Sequence, residues 1–252
     1  MTAAWRHAAR IVALLAGCTL ALQLYFLLRI ALMTVLAPQS TTFQRSEAYR
    51  LLVERQRVAW SQQWVDYAQI STYLKRAVIA SEDAGFAEHT GVEWDALEKA
   101  WEKNQKAELR AGRVNPKSPA RKVEPKLVGG STITQQLAKN LFLSGERTVL
   151  RKGQEFVITL MLEGLLSKQR ILEIYLNNVE WGEGVFGAQA AARHYDHVDA
   201  ARLSPEAAAR LAVMLPAPKR FEKNPGSSYV TGRGATIAAR MGAVELPPGN
   251  GR

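Results

Sequence analysis

Residues 11–28 form an uncharged run of 18, interrupted only by polar Thr19 and Gln23, and residues 30–37 continue it beyond a single Arg29. At about 1.5 Å per residue, a helix over that first run reaches roughly 27 Å, close to the hydrocarbon thickness of a bilayer. A soluble core helix would keep a polar face, whereas here the apolar residues go all the way round. The run therefore reads as a transmembrane helix, with Arg29 snorkelling near one interface. A cleaved signal peptide, with Arg6 and Arg10 as its charged region, would carry an apolar segment of only about 7 to 15 residues. Leu15-Ala16-Gly17-Cys18 has the look of a lipoprotein processing site, but mostly apolar residues follow Cys18 where a polar tether is usual. Arg6 and Arg10 on one flank oppose Arg29, Arg45 and Arg50 on the other, so charge alone leaves the orientation open.

The rest of the chain has to fold without staples, because Cys18 is the only cysteine in 252 residues. The 215 residues after Ala37 are long enough to bury roughly 70% of the unfolded surface in one domain. A hydrophobic fraction of 47% with 22% charged residues is a globular composition. Net charge is +10, and setting aside Arg6, Arg10 and Arg29, which precede the first acid Glu47, leaves +7 on the remainder. That balance suggests a polyanionic or membrane-surface partner.

Apolar residues recur at helical spacing in nearly every segment, and no alternating stretch of useful length appears, so the domain reads all-α. Ser71 caps an expected helix through Ser81, with Leu74, Val78 and Ile79 inward; Trp94, Leu97 and Trp101 mark the buried side of the next. Pro116, Pro119 and Pro125 then break the chain in a loop with six basic residues and one acid between Arg110 and Lys126. Further helices are expected from Ser131 through Phe142, from Arg147 to Leu166, from Ser167 to about Asn177, and from the start signal Ser204-Pro205-Glu206 to Pro216. Trp60 and Trp64 read as core in preference to membrane interface.

Several segments could carry chemistry. Gly182-Glu183-Gly184-Val185-Phe186-Gly187 matches a dinucleotide fingerprint by letters but lacks a βαβ context, and reads as chance. His194, Asp196, His197 and Asp199 read as a solvated helix end before a metal site. The basic loop has no aromatic interleaving or reader motif for nucleic acid. Glu82 and Asp83 end an apolar helix and run into a glycine turn; by composition alone a solvated acidic pair is the simpler account. Arg147, Arg151 and Glu155 fall four apart on one expected helical face beside Lys152, a pattern shared by surface ion-pair ladders. Gly129-Gly130-Ser131-Thr132 leads into Gln135, Gln136, Lys139 and Asn140, a helix start whose N–H groups suit a phosphate-like anion. Two separated carboxylates, a cationic cluster and an anchor suit sugar transfer from a lipid diphosphate.

Residues 77–91 (AVIASEDAGFAEHTG), 129–143 (GGSTITQQLAKNLFL), 151–155 (RKGQE) and 168–177 (KQRILEIYLN) resemble, in order and spacing, the family 51 glycosyltransferases, the bacterial peptidoglycan polymerases. The resemblance spans about residues 66–225 and leaves no room for a transpeptidase domain, as in monofunctional members. It implies a lysozyme-like all-α domain with a small membrane-proximal lobe. It also implies a layout of 1–10 cytoplasmic tail, 11–37 anchor, 38–65 membrane-proximal linker or helix, 66–245 glycosyltransferase domain and 246–252 flexible tail. The implied location is the bacterial inner membrane, single-pass, with a cytoplasmic N-terminus and a periplasmic catalytic domain.

By the same resemblance, Glu82 is the general base that takes the 4-hydroxyl proton of an acceptor sugar, and Glu155 is the second catalytic glutamate. Lys139, Arg147 and Arg151 are implied to bind the diphosphate. Ser131, Thr132 and Gln136 would hold sugar or phosphate oxygens, and Asp83, Phe86, Gln135, Asn140, Lys152, Tyr175 and Asn177 complete the implied substrate-binding set. The expected partners are lipid II, the growing glycan chain, the cell membrane and other cell-wall synthesis or division proteins, with no nucleic acid. No cofactor is required; a divalent cation, Mg2+ or Mn2+, near the diphosphate is compatible with the family. Two departures stand out: a longer link over residues 108–128, and Tyr195-Asp196 where a Tyr-Phe pair is common. A lysozyme-like cleaving enzyme is the rival reading, although cutting an uncharged glycosidic bond calls for no cationic row. A catalytically silent membrane scaffold is the rival from another class.

Overall fold

The computed structural model describes residues 3–94, 98, 102, 130–146 and 148–249. It has ten α-helices and three very short strands among the described residues, in agreement with the all-α reading. Helix α1 (Ala3–Leu32) contains a span, Trp5–Leu32, long and apolar enough to cross a membrane. Its first turns leave Leu14, Leu15 and Leu20 exposed, while Phe26, Ile30 and Met33 at and just beyond its far end are buried in the domain core. One part of α1 thus has no packing partner among the described residues, and the other is docked.

Helix α2 (Thr42–Arg55) starts at a capping box: Thr41 accepts from the Gln44 N–H, and the Gln44 side chain accepts from the Thr41 N–H. With α4 (Ile133–Phe142) and α5 (Val149–Leu165) it builds one group of helices around the docked end of α1. Gln23 of α1 and Gln154 of α5 exchange two amide hydrogen bonds of 2.8 and 3.0 Å, and Phe26 meets Phe142 edge to face. On its outer side α5 exposes Leu150, Val157 and Leu160, an apolar stripe at helical spacing with nothing packed over it among the described residues.

The second group is centred on α8 (Pro205–Met214), packed between α3 (Thr72–Glu82) and α10 (Ser228–Arg240). Ala207, Ala208, Ala209 and Ala212 are buried there, and such small side chains let the helices approach closely. Helix α6 (Lys168–Asn178) runs through the core with Ile171, Leu172, Ile174 and Leu176 fully buried. Helices α7 (Ala188–Asp196) and α9 (Pro218–Phe221) complete the set.

Where the structure departs from the sequence reading, the reasons are local. Thr132, not Ser131, caps α4, because its hydroxyl reaches the Gln135 N–H. Thr148 caps α5 by accepting from the Arg151 N–H, so the helix begins at Val149; Arg147 lies outside the described residues. Trp94 is 64% exposed instead of buried, resting at a tilt against Phe156. Leu97, Trp101 and the basic loop at 108–128 lie outside the described residues.

The expectation of no strands misses a small sheet, order β1-β3-β2, in which β1 (Ser61–Gln62) runs parallel to β3 (Val185–Phe186) and β2 (Glu180–Gly182) antiparallel to it. The Gly-rich segment 182–187 is the turn and second strand of this hairpin. Gly184, at φ +73°, abuts the Ala59 carbonyl so closely that a Cβ would sit 2.0 Å from its oxygen. Trp64 packs on the core, as expected, whereas Trp60 is 38% exposed and stacks on Phe186 at 4.5 Å from outside the core cluster. Of the residues at the end of α7, Asp196 pairs with Arg210 and Asp199 with Arg193 and Arg202, and the Tyr195 hydroxyl donates to the Trp181 carbonyl.

Candidate active site

Two adjacent carboxylates at the end of α3 face opposite ways. Leu74, Ala77, Val78 and Ile79 bury one side of the helix, and at its end Asp83 leaves helical geometry while its N–H still reaches the Ile79 carbonyl. The Asp83 side chain turns inward. One oxygen accepts from the Ile133 N–H at 2.9 Å, and the other lies 2.7 Å from His89 Nε2. His89 Nδ1 accepts from the Gly91 N–H, and Thr132 donates to the Gly91 carbonyl, so residues 83–91 are clamped onto the start of α4.

The anion at the N-terminus of α4 is thus the protein's own Asp83, where the sequence suggested an external phosphate. The Gln135 N–H is also taken, by Thr132, and the Gln135 side chain accepts from the Thr132 N–H.

Glu82 turns the other way. Its carboxylate accepts from Gln136 Nε2 at 3.0 Å, and Gln136 is itself fixed by the buried Tyr175 hydroxyl, which donates to Oε1 at 2.9 Å. No cation pairs with Glu82 among the described residues. Burial pushes its carboxyl pKa up; bonds from Gln136 and Ser81 pull it down, and the Asp83 charge pushes it up again. A carboxylate held by a neutral amide and raised in proton affinity by burial has the setting of a proton acceptor.

Glu155, in the middle of α5, is in a contrasting setting. It is 3% exposed, with Arg151 2.6 Å from one oxygen and Lys152 against the other. Lys152 also reaches the Ser131 hydroxyl at 3.3 Å, tying α5 to the start of α4. Lys139 faces the same space with no ion pair among the described residues. Its pKa is lowered chiefly by loss of water, with Glu155 acting upward and Arg151 and Lys152 downward.

Glu155, Arg151, Lys152, Lys139 and Ser131 line a groove of about 300 Å³ that also takes in Gln135, Gln136 and Asn140, and Glu82 connects to it through Gln136. Three cations against Glu155 and Glu146 leave this groove net positive, a setting for a polyanionic group.

The remaining candidates are placed differently. Phe86 is fully buried, with the Lys168 ammonium 4.6 Å from its ring centre. Asn177 spends its amide on the backbone of Val65 and Glu173, supporting the segment before α3. Phe86, Asn177 and the inward Asp83 therefore offer no surface to a ligand in the groove, and their contacts are structural. Tyr175 and Thr132 act on the groove through Gln136 and Gln135. Arg147 lies outside the described residues.

The groove also contains residues that the sequence reading passed over: Phe43 from α2 and the turn Leu143, Ser144, Gly145 and Glu146. The turn follows directly on the Lys139-Asn140 motif and was within reach of sequence reasoning. Phe43 was not, because only the fold brings the membrane-proximal helix over α4.

Comparison with known proteins agrees with this geometry. The family model described as Transglycosylase matches residues 49–242. A protein of Burkholderia pseudomallei (strain K96243) named biosynthetic peptidoglycan transglycosylase is 53% identical over 232 residues, covering 92% of this chain and 84% of the relative. A protein of the same name from Burkholderia orbicola (strain MC0-3) is 52% identical over 232 residues, 92% of this chain and 88% of its own length. With the matched region taking in both glutamates and the cationic groove between α4 and α5, the chain belongs to the transglycosylase family.

Proposed function

We propose that this chain is a peptidoglycan glycosyltransferase that polymerises lipid II into β-1,4 glycan strands, and that Glu82 is its general base. The observation that carries the reading is the pairing of a desolvated, cation-free Glu82 with a groove lined by Lys139, Arg151 and Lys152. The 4-hydroxyl of the acceptor sugar gives its proton to the Glu82 carboxylate as its oxygen bonds to the anomeric carbon of the growing chain. The bond from that carbon to the diphosphate oxygen breaks, undecaprenyl diphosphate leaves, and an α linkage becomes a β linkage. An alcohol needs such a base because its own proton is held far above neutral pH.

Lys139, Arg151 and Lys152 stabilise the charge that develops on the leaving diphosphate, in a preorganised site where little water competes. Glu155 keeps Arg151 and Lys152 in place, and Gln136 orients Glu82. Ser131, Gln135 and Asn140 line the sugar and phosphate path. A resident divalent cation finds no ready cage here: both Glu155 oxygens are taken by cations, and no group of three His, Cys, Asp or Glu converges among the described residues.

Helix α1 anchors the chain in the cytoplasmic membrane, with the short N-terminus inside and the catalytic domain on the periplasmic side, where lipid II is presented. The exposed apolar stripe of α5 supports a lobe seated against the bilayer.

The test is incubation of the detergent-solubilised chain with fluorescent lipid II, followed by gel separation and muramidase digestion. A muramidase-sensitive ladder is expected. Its absence, with release of fragments from preformed peptidoglycan, would move the chain to the cleaving enzymes, and inactivity in both assays would favour a scaffold.

A further inference from the structure

A second pocket, of about 370 Å³, lies outside the groove, at the junction where α1 ends and the chain turns toward α2. Its walls include apolar Leu32 and Leu36, 50% and 55% exposed, and two arginines, Arg29 and Arg45.

Neither arginine has a carboxylate partner among the described residues. Arg45 is held by neutral acceptors only, the Ser40 carbonyl and hydroxyl and the Thr42 hydroxyl at 3.0 to 3.3 Å. Arg29 reaches only the Tyr25 hydroxyl, at 3.5 Å, one turn back on its own helix. The acids of α2 are committed elsewhere, Glu47 to Arg50 and Lys219 and Glu54 to Arg50. Arg170, which donates to the Met33 carbonyl beside the pocket, is neutralised by Glu173. Two uncompensated guanidinium groups thus share a cavity with exposed leucines, at the end of a helix of membrane-spanning length.

From this juxtaposition we infer that the pocket binds the phosphodiester headgroup of an anionic phospholipid, with Arg29 and Arg45 on the phosphate and the acyl chains along Leu32 and Leu36. Guanidinium groups suit phosphate oxygens by geometry as well as charge. An apolar flank selects a lipid over a free anion, and an arginine in the last turn of a spanning helix sits at headgroup depth. No residue of this pocket lines the catalytic groove, so the bound lipid is distinct from the substrate.

The inference rests on α1 spanning a bilayer, and the experiment separates the two. The full chain is reconstituted into nanodiscs of equal phosphatidylcholine and phosphatidylglycerol, and the lipids kept on the protein are counted by native mass spectrometry. One tightly kept phosphatidylglycerol is expected. At roughly fivefold per surface cation, Arg29→Gln and Arg45→Gln should each weaken retention about fivefold, and the pair about thirtyfold. Arg29→Gln removes only a long hydrogen bond and a ring contact to Tyr25, one turn back on α1, so its reading stands even if Arg45→Gln disturbs α2.

Arg6→Gln with Arg10→Gln, the same charge change at the other end of α1, should leave retention unaltered. Equal retention in the parent and Arg29→Gln overturns the site, as does an equal loss in the Arg6 and Arg10 variant or displacement by millimolar inorganic phosphate. Failure of the chain to float with pure phosphatidylcholine vesicles removes the anchor and the site together; flotation without lipid selectivity removes the site alone.

Discussion

Glu82 and Glu155 are the same residue type in two regions that treat it in opposite ways. The end of α3 gives Glu82 a neutral amide, a neighbouring like charge and little water, and so keeps its proton affinity high. The middle of α5 gives Glu155 two cations in direct contact, so that its carboxylate holds other groups in place. Side-chain chemistry alone makes both into carboxylates. The partners make one a proton acceptor and the other a brace for the cations.

The most severe way to break this contrast is Glu82→Gln. Polymerisation of fluorescent lipid II should fall on the order of 10²- to 10⁴-fold, with thermal stability held or raised. The pKa of Glu82 in the fold is above its ordinary value of 4.5. Its contribution to stability is therefore present in full at lower pH and is lost as pH rises through the folded pKa. The variant should lack that decline, and near-normal turnover would remove Glu82 from the base role.

Glu155→Ala should act on stability as well as rate. It strands a largely buried Arg151, and unfolding in detergent should become easier by about 1–3 kcal/mol, the lower part applying because Lys152 is half exposed and regains water. An unchanged melting temperature alongside lost activity would mean that Glu155 works on substrate directly.

Asp83→Asn tests the neighbour that the sequence cannot tell from Glu82. Weakening the acceptor at the start of α4 should cost about 1–2 kcal/mol of stability, with a rate loss far smaller than that of Glu82→Gln. Matching rate losses in the two variants would erase the distinction drawn between inward and outward carboxylates.

The mildest test is Gln136→Ala. Removing a donor to the charged carboxylate raises the Glu82 pKa further, so the acid limb of the pH–rate profile should move to higher pH. A limb that stays in place would show that the amide does not hold the catalytic charge.

Much of this was legible beforehand. The apolar run of α1, the capping signals at Ser71, Ser167 and Ser204, and the motif residues of the groove all rest on short-range patterns. Patterns of that range missed by one residue which side chain caps α4, Thr132 in place of Ser131. They also misled at the start of α4, whose free N–H groups promised an external anion while the fold supplied Asp83. The tiny sheet was invisible because strands of two or three residues have no period to read.

By itself the sequence determined the membrane-length helix, the helical class of the domain and the residue types available for catalysis, since these follow from local periodicity, capping and composition. Only the tertiary structure decided that Glu82 accepts from the groove residue Gln136 while Asp83 turns inward, that Phe43 and Glu146 line the groove, and that Phe86 and Asn177 are internal supports. It also decided that Arg29 and Arg45 share one cavity without an acid between them. Burial and partnership across distant elements are properties of the packed chain, and they set a carboxylate's proton affinity and an arginine's free charge.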